Sequence, residues 1–124
     1  MNSVYIFVAI AFCGLQLAHG EIVENTADRS FELHAGNCSK AVASDIVFQD
    51  HLRLFAIPFV HRSGLSSWYG NEKIYCILAL SARDESEGST VSIKDGGLGQ
   101  YRVTLEMVSE VNHGLEYNIV VYGK

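Results

Sequence analysis

Residues 90–122 alternate apolar and polar side chains in three successive runs, separated by turns rich in glycine or asparagine. A period of two is the repeat of a strand with one covered face, because successive side chains of a strand point to opposite sides. Thr90-Val91-Ser92-Ile93-Lys94 alternates, and Asp95-Gly96-Gly97-Leu98-Gly99 then turns the chain. Over Gln100 to Glu110, Tyr101, Val103, Leu105 and Met107 share one face; Arg102, Thr104, Glu106 and Glu110 share the other, with Val108 the exception. Asn112-His113-Gly114 brings residues that tolerate positive φ, after which Leu115, Tyr117, Ile119 and Val121 face one way again. These runs predict a C-terminal three-stranded antiparallel meander.

Upstream the pattern is shorter but of the same kind. Phe31 to His34 alternates; Asp45 to Gln49 and Leu52 to Val60 read as two strands split by Asp50-His51. Pro58, the only proline, makes the second of these an edge or a bulge, since proline donates no ladder hydrogen bond. His61 to Asn71 (HRSGLSSWYGN) reads as the longest loop, being rich in Ser and Gly. Lys73 to Ala82 is apolar on both faces, as a central strand would be, and Arg83 to Gly88 is a charged turn. Residues 21–30 are polar and without period, a loose arm. The fold class is all-β: a single-domain antiparallel β-sandwich or flattened barrel of roughly six to eight strands.

The first twenty residues belong to a different class. They carry no charged side chain, hold an apolar run from Val4 to Leu17, and end in Ala18-His19-Gly20. That is the pattern of a signal peptide over residues 1–20, followed by one β-rich domain over 21–124. Cys13 would leave with the leader, so Cys38 and Cys76 remain, and two cysteines in a secreted chain allow a single connectivity. The alternative is a pair of buried free thiols. A Cys38–Cys76 bridge would close a loop of about 38 residues, worth roughly 4 kcal/mol in the chain-entropy model. Asn37-Cys38-Ser39 also fits the N-x-Ser glycosylation pattern, though a bridged cysteine in its middle makes a poor acceptor.

Charge narrows the partners. The formal net charge is -5 at pH 7, which argues against nucleic acid and tight phosphate binding. Once the leader is removed, no run suggests a membrane partner. Catalytic patterns are missing as well. There is no G-x-S-x-G for a nucleophilic serine, and His34, His51, His61 and His113 form neither H-E-x-x-H nor a pair at ligand spacing on one element. His51 and His61 would converge only if their strands paired. Gly96, Gly97 and Gly99 open a strand and lack the Lys-Ser/Thr of a phosphate-binding loop. Asp84, Glu85 and Glu87 are too local for paired acid–base work. The expectation is a non-enzyme with no metal and no cofactor. Contact residues for a partner are sought instead at Trp68 and Tyr69, large aromatics that either fold back on the core or meet a partner, and at the turn around His113. Arg53, His61 and Arg62 offer only a small basic patch.

The C-terminal half resembles the insect multiprotein bridging factor 2 family. Gly96, Gly97, Gly99, Val103-Thr104-Leu105, Ser109, Gly114, Tyr122 and Gly123 carry the likeness in order and spacing, over about residues 73–124. Val108 stands where a basic residue is usual, and Val111-Asn112 where Arg-Gly is common. The resemblance implies one of two settings. The family takes its name from a transcriptional co-activator that bridges DNA-bound regulators to the basal machinery, whereas most look-alikes are leader-bearing salivary or otherwise secreted peptides. The leader and the cysteine pair favour the second: a secreted, non-enzymatic binding protein whose partner is an extracellular protein or a small ligand. The alternatives are an intracellular transcriptional co-activator and a secreted carrier of a small apolar ligand, held between the sheets. An uncovered Leu115–Tyr122 edge would also invite pairing with a second copy, as a homo-oligomer.

Overall fold

The computed structural model describes residues 29–124, so the expected signal peptide and most of the polar arm lie outside the described residues. Among the described residues seven strands are formed: β1 (Leu33–Gly36), β2 (Ile46–Leu54), β3 (Ser63–Tyr69), β4 (Ile74–Ser81), β5 (Thr90–Gly96), β6 (Arg102–Val108) and β7 (Leu115–Gly123). They make two antiparallel sheets, one ordered β1-β4-β7-β2 and the other β3-β6-β5. The sheets do not close into a barrel, so of the two all-β architectures expected, the sandwich is the one adopted.

The meander does not form. β5 and β6 pair as a hairpin around the Gly-Gly-x-Gly turn, but β7 leaves them and enters the other sheet between β4 and β2. Alternation is the same whichever sheet a strand joins, so the pattern could not separate a third hairpin strand from a crossover. The six-residue link Ser109–Gly114 is long enough to carry the chain across the sandwich. β7 is consequently central, with a partner on each side, and the edge expected at Leu115–Tyr122 is not exposed for self-pairing.

Four more readings change. The segment taken as the longest loop is largely β3, paired with β6 from Ser63↔Val108 to Tyr69↔Arg102. Gly64 on its inward side is small because the opposite sheet fills the space: a Cβ there would stand 2.9 Å from Leu52 Cδ2. Asp50 and His51 do not split a strand but lie within β2, where Asp50 accepts a hydrogen bond from the buried Ser66 hydroxyl at 2.6 Å, tying β2 to β3. Pro58 falls after the end of β2 and disturbs no ladder. The last residues of the expected arm are also fixed, since Ser30 bridges Val91 through two backbone hydrogen bonds of 3.1 and 2.7 Å.

Between the sheets lie Ile74, Ile77 and Ala79 of β4, Val91 and Ile93 of β5, and Val103, Leu105 and Met107 of β6. Leu115, Tyr117, Ile119 and Val121 of β7 complete the cluster, with Trp68 and Leu52 packed at its margin. These side chains occupy the space that a carrier of apolar ligands would need between the sheets. Tyr117 is fully buried yet satisfied: its hydroxyl donates to the Phe31 carbonyl at 2.7 Å and meets the Ser89 hydroxyl at 3.1 Å. Burial holds its phenol above the usual tyrosine range. Tyr101, expected on the inward face, precedes β6 and is exposed.

A register shift between Ile74 and Cys76 reverses the facing of β4. Ile74 and Ile77 both point inward, while Cys76 turns to the outer face beside Tyr122. There it is bonded to Cys38, at an S–S distance of 2.02 Å. The expected disulfide is formed, and it anchors the 3-10 turn Cys38–Lys40 to the centre of the four-stranded sheet.

Candidate functional site

At one end of the sandwich the chain crosses from β2 to β3 through Phe55-Ala56-Ile57-Pro58-Phe59-Val60, and the side chains of this crossing point into solvent. Phe59 is 87% exposed and Phe55 63%; Ile57 and Val60 are also exposed, as is Val111 in the neighbouring β6–β7 link. Scattered exposed apolar residues need no explanation, whereas several large ones on one loop are uncommon on a soluble domain.

Polar groups hold this apolar crown in place. Phe59 has φ of 71°, a left-handed conformation that costs an L-residue roughly 1–2 kcal/mol. Its N–H donates to Asn112 Oδ1 at 2.6 Å, and the Asn112 N–H donates back to the Val60 carbonyl at 3.1 Å. The Arg62 guanidinium donates to the Phe55 carbonyl at 2.5 Å, and the Arg62 N–H donates to the hydroxyl of buried Ser109 at 2.7 Å. Gly114 lets the two links approach, because a Cβ there would sit 2.2 Å from the Leu54 carbonyl oxygen. The Arg53 guanidinium lies 4.7 Å from the Phe55 ring centre, a cation–π distance. The crown is therefore a fixed display and not a slack loop.

The sequence-derived contact residues are not brought together. The turn around His113 does belong to the crown, with His113 half-buried and its Nδ1 3.7 Å from Glu87. Trp68 and Tyr69 lie at the far end of β3. Trp68 packs against the core, and Tyr69 is 80% exposed on the outer face of the three-stranded sheet, opposite Arg102. Arg102 is engaged with Asp95 at 2.9 Å and holds that carboxyl below the usual aspartate range. The crown is not apparent from the sequence pattern, because Leu52–Val60 reads as one strand; its signal is the density of aromatic and aliphatic residues around Pro58.

His51 pairs with Glu116 at 2.7 Å across β2 and β7. Among the described residues no group of three or more His, Cys, Asp or Glu is placed to hold a metal ion. Asn37 is exposed beside the disulfide, its Oδ1 accepting the Ser39 hydroxyl at 3.0 Å.

These features define a small disulfide-stapled β-sandwich that carries an apolar crown on one end. Residues 40–123 match the family described as Transcription activator MBF2, and the chain belongs to that family. A curated relative described as a "Probable salivary secreted peptide", from Bombus ignitus, is 35% identical over 60 residues. That match covers 48% of this chain and 42% of the relative, so the chain spans less than half the length of that protein. No solved structure matches.

Proposed function

We propose that this member of the family is a secreted, non-enzymatic interaction protein that binds an extracellular protein through the crown formed by Phe55, Ile57, Phe59, Val60 and the His113 turn. The observation that carries the reading is Phe59: a large apolar side chain, almost wholly in solvent, kept in a strained backbone conformation by a dedicated hydrogen bond. Strain at an exposed apolar residue does nothing for the fold, and such strain concentrates where chains bind. Secretion is supported by the leader pattern of residues 1–20, by the Cys38–Cys76 bridge, and by the salivary description of the relative.

The test immobilises the full chain, produced by insect cells, and exposes it to insect saliva and haemolymph. A Phe55→Ser/Phe59→Ser variant runs in parallel. The reading expects proteins retained by the wild type to be lost from the variant. An identical retained set, or none on the wild type, would overturn the crown as the contact surface.

A second reading, an intracellular transcriptional co-activator, is favoured by the description of the family. It requires the chain to stay inside the cell, where thiol buffering keeps most disulfides reduced. The cellular location and redox state of Cys38 and Cys76 separate the two.

A further inference from the structure

The chain has four lysines, Lys40, Lys73, Lys94 and Lys124, and three of them line one hollow. This hollow, of about 330 Å³, lies beside the disulfide, and its other lining residues are Asn37, Ile74 and Tyr75. Lys40, Lys73 and Lys124 make no ion pair among the described residues, although acidic side chains outnumber basic ones in the chain. Asp45 faces the Tyr75 hydroxyl at 2.6 Å and Glu72 lies beside Gly123, but neither lines the hollow. Three like charges around one concavity repel one another and raise the local concentration of anions.

Each wall is tied to the fold. The Cys38–Cys76 bridge fastens the turn that carries Asn37 and Lys40 to the strand that carries Ile74 and Tyr75. The Asn37 N–H also donates to the Tyr75 carbonyl at 2.9 Å. Lys73 and Lys124 exchange backbone hydrogen bonds of 3.2 and 3.0 Å, and Ile74 is fixed to the Gly-rich turn through Gly99 and Gln100. The Tyr75 ring stands 6.3 Å from that of Tyr122. The volume is at the small end of ligand sites, which join an apolar lining to a few placed polar groups.

We infer that this hollow is a binding site for a small organic anion with a flat apolar body, an aromatic carboxylate or sulfonate. The ring of Tyr75 takes the body against the backbone of Ile74, whose side chain is buried in the core, and Lys40, Lys73 and Lys124 take the charge. The disulfide acts here as a positioning element: it keeps the lysine-bearing turn against β4, so reduction opens the site.

The test is calorimetric titration of the oxidised full chain with 2-naphthoate, and with the uncharged 2-naphthalenemethanol as its neutral counterpart. Three exposed charge contacts of ordinary strength together correspond to about tenfold in affinity. The expected result is saturable 2-naphthoate binding, weakened about tenfold or more in Lys40→Ala/Lys73→Ala/Lys124→Ala and in reduced protein, and unchanged in Phe59→Ser. Unaltered affinity in the lysine variant, equal binding of the neutral alcohol by the wild type, or no heat at millimolar 2-naphthoate would overturn the site. The alcohol comparison is made on the wild type alone, so it does not depend on how the variant folds. The crown and this hollow involve different residues, so either can fail without the other.

Discussion

Replacing Phe59 with glycine tests whether the crown is displayed or packed. Relief of the left-handed strain at φ of 71° is worth roughly 1–2 kcal/mol. Against it stand the extra backbone freedom of glycine in the unfolded chain, about 0.5–1 kcal/mol, and the little burial that is lost. Phe59 keeps 87% of its surface in solvent, so the apolar area returned to water is on the order of 25 Å², about 0.6 kcal/mol. The hydrogen bond to Asn112 comes from the main chain and survives. The sum lies within about 1 kcal/mol of zero, at most roughly 4–8 °C in Tm for a domain of this size. A packed phenylalanine would instead cost about 3–5 kcal/mol on truncation. Alanine at the same site keeps the strain, so Phe59→Gly should be more stable than Phe59→Ala by about 1 kcal/mol. Urea unfolding of the three proteins reads all of this, and the retention assay reads the loss of partner. A loss above about 2 kcal/mol in the glycine variant, or alanine proving the more stable, would refute the reasoning.

Three further outcomes are expected. Tyr117→Phe leaves the Phe31 carbonyl and the Ser89 hydroxyl short of a partner, at a cost of about 1–3 kcal/mol. Because the folded state raises this phenol above 10.0, its contribution is intact below that pH and is lost as pH rises through the folded pKa. Unfolding midpoints measured up to alkaline pH should therefore fall more gently in Tyr117→Phe than in the wild type, and parallel curves would contradict this. Cys38→Ala/Cys76→Ala removes a bridge spanning 38 residues and should cost about 4 kcal/mol; unchanged thermal stability would mean that no bridge forms. Leu105→Asp or Ile119→Asp places a carboxylate in the core without a partner and should abolish secreted yield, whereas normal yield would show that the inward face is misassigned.

Where one face of a strand is covered and the other is wet, the sequence was readable. Val103, Leu105 and Met107 of β6, and Leu115, Tyr117, Ile119 and Val121 of β7, are inward as their alternation predicts. The apolar run of β4 marks a central strand, and the lone pair of cysteines marks the bridge. Three things were hidden. β3 looks like a loop because Gly64 and Ser66 are small, and the causes lie in the opposing sheet: Leu52 and Leu54 leave no room for a Cβ at Gly64, and Asp50 accepts the Ser66 hydroxyl. The switch of β7 between sheets leaves no mark on its own period. The shift at Ile74/Cys76, which turns the cysteine outward, is one residue of register inside an apolar run. At the proposed sites the same limit applies. The turn that carries His113 is legible in the sequence, but the crown depends on where β2 ends, and the lysine hollow joins residues as distant as Lys40 and Lys124.

The central claim is that this chain works outside the cell as a bridged, leader-free domain. Its most direct test is the intact mass of the protein from medium and from lysate of an insect expression culture, after glycan removal, with and without reductant. The account predicts a species in the medium that begins at Glu21 and is two hydrogen atoms lighter until reduced. A full-length, reduced species confined to the lysate would contradict it and point to the intracellular co-activator.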